Sequence, residues 1–194
     1  MAIAWKYPGQ ELQVIPAEYS QITGPSTYNQ ISLVDSLTPT LSPQQPVNCS
    51  TDSYCGAILE TWKGIDGMST NDLMLYTDHL KIAPSMTERL WDFLEVPSNA
   101  DEYYGDNMNG WLVPPVSGDF LFWIASDDNG EFFLNTDYGM VGAVYMMRIC
   151  YAPEYSGFRE WDRTSDQESL PIALVAGQPY YFEVREINKA QNCM

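Results

Sequence analysis

Polar and apolar positions alternate with a short period over most of the chain, and turn-forming residues break the pattern at close intervals. Residues 1–14 read as a strand, a turn at Pro8-Gly9, and a second strand. From Ile15 to Tyr54 the alternation dissolves into Pro, Ser, Thr, Gln and Asn, a composition that favours an extended connection. Beyond it, Ala57 to Trp62 predicts a strand that runs into Gly64-Ile65-Asp66-Gly67. Ser69 to Leu75 predicts a short helix, capped by Ser69 or Thr70 with Asp72 in its first turn. Thr87 to Val96 is a broken strand region. Aromatic runs at 119–125 and 131–136 flank Asp127-Asp128-Asn129-Gly130 and predict a hairpin. Further strands are expected at 110–115, 141–151, 170–175 and 180–186. Many short strands and almost no helical period predict an all-β fold, an antiparallel sandwich or barrel.

Charge narrows the partners. The chain of 194 residues carries 26 acidic and nine basic side chains, a net charge of −17. Nucleic-acid binding requires clustered Lys and Arg, and no such cluster occurs, so nucleic acid is excluded as a partner. No run approaches the ~20 apolar residues of a spanning helix, so membrane insertion is not expected. The first residues lack the basic start and apolar run of a signal peptide.

Four cysteines, at 49, 55, 150 and 193, without a C-x-x-C pair and with His79 as the one histidine, argue against structural zinc. An even count in an acidic β-rich chain fits disulfides and an extracellular or cell-surface location. Cys49 with Cys55 is a local candidate and Cys150 with Cys193 the second, although sequence leaves three pairings open. Asn48-Cys49-Ser50 is a glycosylation sequon.

Several blocks resemble, in order, the PA14 domain, a β-sandwich of adhesins, toxins and glycosidases. They are 60–67 followed by Asp72-Leu73, then 111–122, then 126–137, and finally Trp161 with 165–172 and 174–183. The resemblance covers 55–194. It also reaches the start of the chain, where Met1-Ala2-Ile3-Ala4-Trp5-Lys6-Tyr7-Pro8-Gly9 looks like the family's closing strand. The implied organisation is a closing strand in 1–14, a linker in 15–54 and a sandwich in 55–194. Residues Ala2, Ile3, Ala4, Trp5 and Tyr7 either complete their own sandwich or are donated to a neighbouring copy or repeat, and the array is the preferred reading.

Adjacent carboxylates at Asp127 and Asp128 repel unless a cation or donors offset them. Alone they read as turn residues. The resemblance implies instead that the pair, joined by a cis peptide, holds Ca2+, which then coordinates sugar hydroxyls. Its remaining ligands come from the loop after the last strand, where Asn188 and Asn192 are the side-chain candidates. Trp161, with Tyr138 and Trp91, is the candidate aromatic platform for carbohydrate. With no nucleophile elbow, no metalloprotease motif and a single histidine, the chain is not expected to be an enzyme. The leading expectation is a calcium-dependent glycan-binding adhesive module. The alternative is a structural repeat or filament subunit assembled by strand donation.

Overall fold

A computed structural model describes residues 1–22, 55–65, 67, 69–96, 103–136 and 146–189. Two antiparallel sheets face each other across one core, as the alternation predicts. The smaller has the order β10-β7-β1-β2, and the larger runs β5-β4-β6-β11-β8-β9 with β3 beside β6. The small sheet consists of β1 (Ala2–Lys6), β2 (Gln13–Val14), β7 (Gly118–Ala125) and β10 (Ile172–Leu174). The large one consists of β3 (Ser20–Gln21), β4 (Ala57–Lys63), β5 (Met86–Leu90), β6 (Tyr104–Leu112), β8 (Asn129–Leu134), β9 (Met147–Ala152) and β11 (Tyr180–Asn188).

The opening strand completes its own sandwich. β1 lies between β2 and β7, and all five of its residues pair with β7, from Ala2↔Ala125 to Lys6↔Leu121. Pro8 and Gly9 (φ +83°) make the expected turn, which returns the chain to pair Ala4 with Val14. Ile3, Ala4 and Trp5 are fully buried. Trp5 contacts Tyr7, Tyr19 and Phe120 at ring-centroid distances of 5.3–5.4 Å. The packed body extends past Val14: Ile15 and Ala17 are fully buried, and Ser20 and Gln21 pair with β6.

The expected helix forms as α1 (Thr70–Met74). Ser69, one of the two expected caps, takes the N-cap position, and its N–H donates to Asp72 Oδ2 at 3.0 Å in a capping box. α1 continues as a single π-helical segment, Leu75–His79, and lies on the outer face of the large sheet. Gly105 permits this close approach, because a Cβ there would meet Leu73 Cδ1 at 2.8 Å.

Two expectations fail. The strands around Asp127-Asp128 are not a hairpin, because β7 belongs to the small sheet and β8 to the large one. Phe122 of β7 and Phe132 of β8 meet edge-to-face across the core at 5.5 Å. Both strands bury one face in that core, so facing sheets cover more apolar surface than a two-stranded ribbon would. Cys150 is also not a disulfide cysteine. It is a free thiol on β9, turned into the core and 3 % exposed, and burial pushes its pKa up. Cys49, Cys193 and the sequon at Asn48 lie outside the described residues.

Candidate functional site

Asp127 and Asp128 occupy the turn that carries the chain from one sheet to the other. Asp128 takes the left-handed conformation at φ +66°, a region Asp tolerates better than most residues. Gly130 follows because Ser126 leaves no room for more: a Cβ there would lie 2.5 Å from Ser126 Oγ. The Asp127–Asp128 peptide is trans, like every other peptide bond among the described residues, where the resemblance implies cis.

The end of β11 meets this turn, as expected. Asn188 Nδ2 donates to Asp127 Oδ2 at 2.7 Å. The Lys189 backbone N–H donates to Asp128 Oδ2 at 2.8 Å. Three of the four proposed ligands therefore share one site, while Asn192 lies outside the described residues. Lys189 contributes a backbone N–H to the acidic pair. Among the described residues the other oxygen of each carboxylate has no hydrogen-bond partner.

Beneath the turn is a buried polar layer that the sequence reading missed. Glu186 is fully buried, accepts from Tyr104 Oη at 2.9 Å and Ser126 Oγ at 3.2 Å, and lies 2.9 Å from the Met1 amino nitrogen. Asp106, paired with Glu186 across β6 and β11, accepts from Thr61 Oγ1 at 2.6 Å. Both acids fall in phase with core residues, Asp106 with Met108 and Leu112, Glu186 with Phe182 and Val184. That mismatch of polarity and period is the signal that could have revealed them.

The Asp127 pKa is raised chiefly by burial, then by the nearby Glu186 and Asp128, with the Asn188 hydrogen bond opposing. Burial chiefly, and then Glu186, pushes Asp106 up to about 7, against the bond from Thr61. An acid raised in this way keeps its proton in the fold after the unfolded chain has lost it. Its contribution is complete below the ordinary value of 3.8 and is lost as pH rises through about 7. Asp106→Asn cannot ionise, yet keeps an acceptor for Thr61. In urea titrations between about pH 4 and pH 8 it is expected to flatten the fall in stability and to be the more stable form at the alkaline end.

A cleft of about 120 Å3 opens beside Asp127, walled by Ser156, Tyr155, Phe158 and the Arg159–Glu95 ion pair. Phe158 is 65 % exposed and Tyr155 40 %. These aromatics occupy the place expected for Trp161, which is half-buried and does not line the cleft. Trp91 has its ring against the Arg89 guanidinium at 3.6 Å, and Tyr138 lies outside the described residues.

The donors at the turn, two carboxylates and one amide, are hard oxygen ligands with unfilled lone pairs on a locally acidic surface, and they fit calcium. Among the described residues no group of three or more His, Cys, Asp or Glu side chains could hold a metal.

No family model matches the chain. Over 82 residues it is 35 % identical to N-acetyl-beta-glucosaminyl-glycoprotein 4-beta-N-acetylgalactosaminyltransferase 1 of Mus musculus, covering 42 % of this chain and 8 % of that protein. The structure of beta-glucosidase from Kluyveromyces marxianus in complex with glucose superposes with a TM-score of 0.42 at 16 % identity. That alignment covers 89 % of this chain and 16 % of the other. The chain spans less than a fifth of either protein. No helix among the described residues is long and apolar enough to cross a membrane.

Proposed function

We propose that this chain is a PA14-like extracellular module that binds glycans through calcium held by Asp127 and Asp128. The observation that carries this reading is the meeting of the acidic turn with the end of β11, which brings Asn188 within 2.7 Å of Asp127. The cleft beside them supports it, with exposed aromatic faces for the C–H side of a sugar ring and polar groups for its hydroxyls. Asp127, Asp128 and Asn188 would hold the ion, with Asn192 as a further ligand, and the ion would present vacant positions to sugar hydroxyls. The module is proposed to recognise its ligand without transforming it.

Both proteins carry a sugar in their printed names, and each matches over only a small share of its own length, so they add context and no more. Assembly by strand donation has less behind it, since β1 pairs along its whole length within its own chain. The reading is tested by exposing the protein to an immobilised glycan panel with calcium and then with EDTA. Retention that chelator abolishes is the expected result. A panel on which no glycan is retained in a calcium-dependent way would count against it.

A further inference from the structure

A second cleft, of about 350 Å3, lies on the outer face of the large sheet, beneath the segment that follows α1. It shares no lining residue with the cleft beside Asp127. Its floor is a row across three strands, with Asn107 of β6 paired to Glu60 of β4 on one side and Arg185 of β11 on the other. Trp62 and Ile82 form an apolar wall, fixed by the Trp62 indole N–H donating to the Ile82 carbonyl at 2.8 Å.

Hydrogen-bonding capacity on this floor is unspent. Asn107 Oδ1 is buried and has no partner among the described residues. Glu60 has no hydrogen-bond partner among the described residues, and neither does the Lys81 side chain at the rim. Of the other two carboxylates in the lining, Glu183 is already held by Arg185 at 2.7 Å and by Tyr181 Oη at 3.1 Å, and Asp78 accepts from Thr77 Oγ1 at 3.1 Å. Burial and the proximity of Glu183 raise the Glu60 pKa, as expected of a carboxylate lacking donors. A buried acceptor without a partner is uncommon in a native fold and calls for something to fill it.

The mixture of groups selects the ligand class. Lys81 and Arg185 disfavour a free cation, while Glu60, Asp78 and Glu183 disfavour an anion. A neutral molecule whose hydroxyls both donate and accept satisfies acceptors and donors together, and its C–H face suits Trp62 and Ile82. We propose that this cleft is a calcium-independent saccharide-binding site, in which Glu60 and Asn107 accept hydrogen bonds from sugar hydroxyls that Lys81 and Arg185 donate to. It stands independently of the role given to Asp127 and Asp128.

The test is titration with methyl β-glucoside, methyl β-galactoside, methyl α-mannoside and N-acetylglucosamine in EDTA, which silences any calcium site. At least one sugar is expected to bind and to shift the NMR signal of the Trp62 indole N–H. Glu60→Ala and Asn107→Ala are each expected to weaken that binding by about tenfold or more. An Asp127→Asn/Asp128→Asn variant should bind it unchanged. The proposal is overturned if none of the four binds, if both alanine variants bind normally, or if the shifts map away from Trp62 and Asn107. The NMR map uses the unaltered protein, so it decides the matter even if a variant fails to fold.

Discussion

Trp5→Ala is expected to destabilise the fold by about 3–5 kcal/mol, the cost of truncating a large buried aromatic to alanine. Trp5 is fully buried and packs against Tyr7, Tyr19 and Phe120, joining β1, the segment after β2, and β7. A loss of that size is a large fraction of the ~5–15 kcal/mol typical of a whole domain. It should appear in urea titrations as a much lower midpoint with an unchanged slope. Trp5→Phe sharpens the prediction. The indole Nε1 is buried without a partner among the described residues, so phenylalanine removes an unsatisfied donor while keeping most of the apolar contact. The phenylalanine variant is therefore expected to lose much less than the alanine variant. A small loss in both variants would mean that Trp5 contributes little to the core, and equal large losses that the indole itself is required.

Calcium is expected to stabilise the native protein, and Asp127→Asn/Asp128→Asn is expected to remove that effect. A ligand that binds only the folded state adds about 2.7 kcal/mol at a concentration of 100 times its Kd. Melting curves with and without calcium should separate for the unaltered protein and coincide for the double variant. Without calcium the variant should melt no lower than the parent. It relieves the repulsion that, with burial, raises Asp127, and each asparagine keeps an acceptor for Asn188 or Lys189. Calcium-dependent melting that survives in the variant would place the ion elsewhere.

The strands were legible because their alternation is nearly unbroken. β6 alternates buried and half-buried residues from Asp106 to Leu112, and the capping box at Ser69 and Asp72 is a local signal that tertiary context did not override. The partner of each strand was less legible. An Asp-Asp-Asn-Gly turn bends the chain in the same way whether the next strand lies beside the last or opposite it, and only the two facing aromatic surfaces decide. The meeting of Asp127 with Asn188 was foreseen through a resemblance, because no local pattern links positions 61 residues apart. The Glu186–Asp106 layer was overlooked although its period places it inside, since an acid within an apolar phase reads as an outward residue until its partners are known. Trp161 was chosen for its chemistry, whereas Phe158 and Tyr155 line the cleft because the 153–160 segment carries them there.

The most direct measurement is a calorimetric titration, in calcium, of a glycan that the panel retains only when calcium is present, into the intact protein and into the Asp127→Asn/Asp128→Asn variant. The account predicts saturable binding to the intact protein, and loss of the heat both in the variant and when EDTA replaces calcium. Undiminished binding to a folded variant would contradict it, because the sugar would then be held without the acidic turn.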